Sequence, residues 1–176
     1  MTDAGGTERT LVLLRHAKAE APGTGPDLQR PLTARGHADS AAAGAWLARH
    51  GLLPDVVLCS AARRTRQTWH GVELGMTGSP DEAGPASPAP QVRYEPGAYE
   101  ARPAELLGLI RSTPAKATTV LLVAHNPGIS LLSALLDPER ADQEGLRTTD
   151  LVVHRTRLPW AELRHADIVA RHTARA

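Results

Sequence analysis

Two short apolar runs that end in cations and imidazoles constrain this sequence more than any other feature. Leu11-Val12-Leu13-Leu14 leads into Arg15-His16, and Val120-Leu121-Leu122-Val123-Ala124 leads into His125. Neither run alternates with polar residues, which is the pattern of strands buried on both faces of a sheet. Open α/β sheets keep their ligand crevices beyond the carboxyl ends of such strands. Two strands of this kind therefore point two imidazoles and a guanidinium at one crevice.

The segments between and after these runs supply the rest of an α/β fold. A strand is expected at about residues 10–15, followed by a Pro/Gly-rich loop from Ala21 to Arg30. Thr33 can cap a helix that reaches His50, with Gly51 as its stop. On that helix Ala38, Ala41, Ala42 and Ala45 with Trp46 read as a close-packing face. A second strand is expected at Asp55–Ser60 and a helix from Ala62 to Leu74. Thr77–Pro90, rich in Gly, Pro, Ser and Ala, reads as a loop. Gln91–Tyr94 reads as a short strand, and Pro103 opens a helix over 103–112, with Leu106, Leu107, Leu109 and Ile110 at helical spacing. The strand at 118–124 leads through His125-Asn126-Pro127-Gly128 into a helix that ends near Leu136. Leu151–His154 and Asp167–Arg171 read as strands near a sheet edge. Alternating strands and helices predict a three-layer αβα sandwich with a mostly parallel central sheet. Residues 1–9 are expected to be a loose tail and 10–176 one domain, a size that suits a single core.

Composition narrows the partners. The formal charge is +1, so no net field draws a polyanion, and the absence of Phe with only three Trp and two Tyr argues against a base-stacking surface. Nucleic acid is therefore not expected. The apolar runs fall far short of the roughly 18–20 residues of a membrane-spanning helix, and no signal-like segment opens the chain. A lone Cys59 fits a reducing compartment. The expectation is a cytoplasmic protein with no membrane partner.

The chemistry gathers around a third element, Ser60-Ala61-Ala62-Arg63-Arg64-Thr65-Arg66-Gln67-Thr68, where a strand end, a turn and a helix start meet. Backbone N–H groups and the helix dipole favour an anion there, and an Arg in the first turn can reach the same crevice. Arg63 and Arg66 read as a solvated basic face. His50, His70, His154, His165 and His172 show no metal-ligand spacing and read as surface or edge positions, and His37 as structural. No metal and no cofactor is called for.

Leu-Arg-His-Ala at 14–17, Ser-x-x-x-Arg-x-x-Gln-Thr at 60–68 and Ala-His-Asn-Pro-Gly at 124–128 together resemble the histidine phosphatase superfamily, and within it the small SixA-type phosphohistidine phosphatases. Arg-Pro-Leu-Thr at 30–33 with Arg35-Gly36 resembles the loop into that family's first helix. The resemblance implies a phosphoglycerate mutase-like fold and a metal-independent phosphatase. It implies His16 as the phosphorylated nucleophile, Arg15 and Arg64 as grips on the phosphoryl oxygens, and His125 as the second imidazole of the phosphate pocket. A neutral imidazole is a competent nucleophile near pH 7, and neighbouring guanidinium groups discourage its protonation. Two arginines and a second imidazole can stabilise charge on the equatorial oxygens of an in-line transfer, after which water hydrolyses phospho-His16.

Two features depart from the family pattern. Ala17 stands where Gly is commonest after the nucleophilic His. Relatives that act on esters carry an acidic proton donor between the Arg64 element and the second His. Here the candidates are Glu95, Glu100 and Glu105, none in a sharp motif, with Glu100 in Tyr99-Glu100-Ala101 preferred. Cysteine-dependent chemistry is disfavoured because Thr65 stands where its phosphate-binding Arg would be needed, which makes Cys59 a core residue. The expected substrate is a phosphorylated protein, phosphohistidine first. The alternatives are a small-molecule phosphomonoesterase or phosphoglycerate-mutase-like enzyme acting on a small phosphorylated substrate, and a catalytically weak phosphoprotein-binding module.

Overall fold

The computed structural model describes residues 6–78 and 89–176. The first five residues of the expected tail, and most of the expected 77–90 loop, lie outside them. Six strands form one sheet: β1 (Arg9–Arg15), β2 (Val56–Ser60), β3 (Gln91–Glu95), β4 (Thr119–Ala124), β5 (Asp150–Thr156) and β6 (Asp167–Thr173). Their spatial order is β3-β2-β4-β1-β5-β6. β3, β2, β4 and β1 run parallel to their neighbours, whereas β5 and β6 add antiparallel pairings at one side. The sheet is thus mostly parallel, as its apolar strands predict. β5 lies one place inside the edge, which is why Leu151, Val152, Val153 and His154 are all buried.

Four helices cover the two faces: α1 (Ala34–Arg49), α2 (Arg63–Thr77), α3 (Pro103–Arg111) and α4 (Gly128–Leu136). Side chains of a strand alternate between faces. Leu11 and Leu13 accordingly join Leu106, Ile110, Ile129 and Leu132 in the core beneath α3 and α4. Val12 and Leu14 join Ala43, Leu47, Trp69 and Val72 beneath α1 and α2. Each fully buried Leu or Val contributes about 1.5–3 kcal/mol over its exposed state. Cys59 sits in the second core, where burial pushes its thiol up to about 12, in keeping with a structural residue.

Helix α1 begins where its cap predicts, with the Thr33 side chain accepting from the Gly36 N–H at 3.0 Å. The packing face is rotated from the expected one. Gly36, Ser40, Ala43, Gly44 and Leu47 are buried with Trp46, while Ala38 is exposed and Ala41, Ala42 and Ala45 are half-buried. The stripe is set by Trp46 and Leu47, and by the close approach of α2 at Gly44. A Cβ there would lie 2.0 Å from the Val72 carbonyl oxygen. Boundaries elsewhere fall within a few residues of expectation. Arg9, assigned to the tail, is the first residue of β1, and α2 runs on to Thr77. A turn at Trp160–Glu162, unforeseen, buries Trp160 fully with its indole N–H on the Ala117 carbonyl at 2.7 Å.

Candidate active site

The register of the parallel strands brings the three sequence elements to one edge. Arg15 pairs with Ala124 across β1 and β4, and Cys59 pairs with Val123 across β2 and β4. The residues that follow, His16, Ser60 and His125, therefore leave the sheet side by side. The His16 N–H continues the ladder onto the Ala124 carbonyl at 3.1 Å.

His16 and His125 are each only 8% exposed, with ring centres 5.3 Å apart. His16 Nδ1 lies 2.8 Å from the Ala17 carbonyl. A carbonyl only accepts, so Nδ1 carries the proton and Nε2 keeps a lone pair. His125 is arranged the other way round. Its Nε2 lies 2.7 Å from Ser60 Oγ, which itself accepts from the Ala62 N–H at 3.4 Å. With Ser60 as donor to Nε2, the proton of neutral His125 sits on Nδ1, a buried atom with no protein partner. In that arrangement His16 offers a lone pair and His125 an N–H.

Two guanidinium groups flank the rings. Arg64, 5% exposed at the start of α2, donates through Nη1 to the Asp27 carbonyl at 2.9 Å and through Nη2 to Asp27 Oδ2 at 3.1 Å. Half-buried Arg15 donates through Nη1 to the Leu146 carbonyl at 3.0 Å. The Nε atoms of both arginines are buried without a partner, as is His125 Nδ1. A buried donor without an acceptor costs about 1–3 kcal/mol, so a cluster of such groups suits an acceptor-rich anion.

Burial is the main reason both rings stay neutral. It lowers His16 to about 4, with the charges of Arg64, Arg15 and Arg30 adding to the effect against the Ala17 hydrogen bond. It lowers His125 to about 3, with His16 and Arg64 adding. The sequence argument credited the arginines; they are the smaller cause. At neutral pH His16 is neutral and its Nε2 carries a lone pair.

The Ser-x-x-x-Arg-x-x-Gln-Thr motif is explained residue by residue. Ser60 meets His125 Nε2, and Arg64 reaches Asp27 beside the two rings. The Gln67 side-chain carbonyl accepts the Leu32 N–H at 2.8 Å, and Thr68 Oγ1 accepts the Ala17 N–H at 3.0 Å. Helix α2 thereby fixes the chain immediately after His16. In Asn-Pro-Gly, Asn126 donates to the same Leu146 carbonyl as Arg15, at 2.7 Å. Gly128 admits the Ala101 carbonyl 2.2 Å from where a Cβ would stand.

The acidic candidates are placed elsewhere. Glu95 pairs with Arg93 at 2.8 Å, and Glu105 caps α3 by accepting the Arg102 N–H at 3.1 Å. Glu100 is exposed at φ 56°, and among the described residues it makes no hydrogen bond or ion pair with Arg15, His16, Arg64 or His125. Its neighbour Tyr99 is the residue that reaches the cluster. The Tyr99 ring stands edge-on to His125 at 5.6 Å, and its hydroxyl donates to Asp27 Oδ2 at 2.5 Å. Sequence reasoning missed both Asp27 and Tyr99; their only signal is position, three residues before Arg30 and next to Glu100. The Tyr99 hydroxyl, followed by Arg64 and Arg30, lowers Asp27 to about 2. Asp27 is therefore ionised at any working pH and a poor proton donor. Among the described residues no group of three or more His, Cys, Asp or Glu side chains is placed to hold a metal ion.

Comparison with known proteins agrees with this geometry. Residues 11–84 match the histidine phosphatase superfamily, branch 1. A solved structure of a candidate SixA phosphohistidine phosphatase from Nakamurella multipartitia is 33% identical with a TM-score of 0.77, covering 96% of this chain and 98% of that one. An uncharacterized Mycobacterium tuberculosis protein is 33% identical over 158 residues, 85% of this chain and 91% of its own length. A mycobacterial glucosyl-3-phosphoglycerate phosphatase shares the fold, with a TM-score of 0.64 at 16% identity over 95% of this chain and 99% of that one. Two buried imidazoles and two guanidinium groups where these strands end complete the case: the chain belongs to the histidine phosphatase superfamily and is a phosphatase of that kind.

Proposed function

We propose that this phosphatase hydrolyses phosphohistidine, carried on a protein, through a phospho-His16 intermediate and without a metal ion. The observation that carries the reading is the protonation pattern of the pocket. It holds a lone pair on His16 and several N–H donors, but the carboxyl that meets Arg64 and Tyr99, Asp27, is held ionised. His16 Nε2 attacks phosphorus in line while the bond from phosphorus to the substrate imidazole breaks. Arg15, Arg64 and His125 Nδ1–H take up charge on the equatorial oxygens, which compete with Asp27 for Arg64. The leaving imidazole departs readily once protonated from solvent. Water then attacks phospho-His16, releasing phosphate and restoring the neutral ring. An alkoxide leaving group would need a positioned acid, a contribution of about 10²–10⁴-fold.

A second reading, a small-molecule phosphomonoesterase, draws on Tyr99, whose ring stands edge-on to His125 and whose hydroxyl, on Asp27, could give its proton to a leaving oxygen. The Asp27 hydrogen bond raises Tyr99 above the usual phenol range, which weakens it as an acid. Steady-state comparison of a phosphohistidine peptide with alkyl phosphates, with and without EDTA, tests the proposal. Higher kcat/KM for phosphohistidine, untouched by chelation, is expected. Better turnover of alkyl phosphates, reduced by Tyr99→Phe, selects the second reading; loss on chelation and recovery with a divalent ion overturns the metal-free route.

A further inference from the structure

A second concave surface lies beside the catalytic pocket on the outward side of α2. Arg63, Arg66, Gln67 and His70 follow one another at helical spacing along that face, and His37 from α1 and Tyr94 from β3 form the walls. The groove has a volume of about 480 Å³, and none of its lining residues carries a carboxylate. Arg64, one residue on from Arg63, turns the other way into the site. The groove and the pocket also share the short turn Asp27–Gln29: Asp27 meets Arg64, and the Gln29 carbonyl accepts from Arg63 Nη1 at 3.4 Å.

Arg63 and Arg66 are not among the arginines that the described residues pair with acids. Arg30, Arg35, Arg64, Arg93, Arg140, Arg147, Arg155 and Arg175 each lie within ion-pair distance of a carboxylate. Among the described residues Arg63 and Arg66 have none, and Arg66 instead stands 5.1 Å over the Tyr94 ring. That stacking orients the guanidinium while leaving its N–H edge for an acceptor. A solvated basic face was the expectation for these two residues, but they form one wall of a formed groove with His37, which sequence reasoning assigned to structure. Both histidines of the groove are exposed. A small anion is bound by buried donors; this open groove of exposed cations suits an extended acidic surface.

We propose that the groove docks an acidic segment of the phosphorylated protein, its carboxylates on Arg63 and Arg66, while the adjoining phosphohistidine enters the His16 pocket. This rests on the reading of a protein phosphohistidine substrate. The test uses two phosphohistidine peptides, one flanked by glutamates and one by glutamines, with the full-length protein. At low salt the wild type is expected to prefer the Glu-flanked peptide by about tenfold in kcat/KM, mostly through KM, and the preference shrinks as ionic strength rises. Arg63→Glu with Arg66→Glu abolishes or inverts the preference and leaves turnover of the Gln-flanked peptide unchanged; the double Lys variant keeps most of it. No preference in the wild type, or a preference that survives the charge reversal, overturns the proposal, as does an equal loss on both peptides. Fluorescence anisotropy with an unphosphorylated Glu-rich peptide separates the two readings. If neither phosphopeptide is turned over, the substrate reading fails, and the groove stands or falls on whether that peptide binds the wild type and is released by charge reversal. Equal binding of a single-stranded oligonucleotide would mark the groove as a general polyanion surface and overturn the acidic-segment assignment.

Discussion

His154 and His16 are both buried imidazoles, and burial lowers the pKa of both, yet they occupy opposite kinds of site. His154, in β5, uses both ring nitrogens: Nε2 meets Ser133 Oγ at 2.9 Å and Nδ1 meets the Ala166 carbonyl at 2.8 Å. His16 uses Nδ1 alone, and His125 uses Nε2 alone. Neither burial nor a lowered pKa marks a reactive histidine; an unused nitrogen facing a cluster of unpaired donors does. The satisfied ring ties β5 to α4 and the 166 loop, whereas the unsatisfied pair leaves its deficit for a substrate to fill.

The largest effect that would sharpen this contrast is on chemistry. His16→Ala is expected to lower kcat by at least about 10³-fold, as removal of a nucleophile does. Alkaline quenching is expected to trap one acid-labile phosphoryl group on His16 in the wild type; label on His125 in its place would invert the assignment. Next comes the orienting hydrogen bond. Ser60→Ala leaves His125 free to choose its tautomer and is expected to cost about 10–100-fold in kcat, with recovery in Ser60→Thr, a loss comparable to that of outer partners that hold a reactive ring. A loss confined to stability would reduce Ser60 to a packing role.

The same contrast separates activity from stability. His154→Ala leaves Ser133 and the Ala166 carbonyl without their partner and is expected to cost about 1–3 kcal/mol of folding free energy, read as a lower Tm, with kcat unchanged. The pH dependence follows from the lowered pKa values. Below its folded value of about 4, His16 is protonated and its lone pair lost, so the acid limb of kcat/KM is expected near there and not near 6.5. Stability moves in the same direction. The unfolded histidines bind protons from about pH 6.5 downward while the folded rings do not, so the contribution present above that pH is lost progressively toward pH 3–4. An acid limb at 6.5 would mean that the pocket is far wetter than its burial indicates. The smallest effect is expected at Glu100, where Glu100→Gln leaves phosphohistidine turnover within about twofold, as for an exposed side chain without a partner in the site.

Most of the frame was legible because its signals are local. Unbroken apolar strands, the Thr33 cap and the Pro103 helix start are short-range patterns with few competing solutions. The paired imidazoles were legible because both end such strands. Asp27 and Tyr99 were not, since a carboxylate in a Pro/Gly-rich loop and a phenol in a turn acquire meaning only when two distant loops fold over Arg64. The alanine face of α1 misled for a related reason: small residues can line a close contact or simply face water, and the helix partner decides. His154 escaped because a histidine near the end of the chain carries no periodic mark of burial when its partners lie in α4 and the 166 loop.

The strand order has a consequence for how this pocket comes into being. β1 and β2 do not touch; β4, made much later in the chain, lies between them. The matched family segment, residues 11–84, already contains His16 and Arg64, yet the Ser60–His125 contact spans 65 residues and waits for β4 to insert. No leading fragment that stops short of β4 can bring His125 to Ser60. Contacts of such long sequence separation are made late and slowly. Recovery of turnover during refolding is therefore expected to report the seating of one strand, β4.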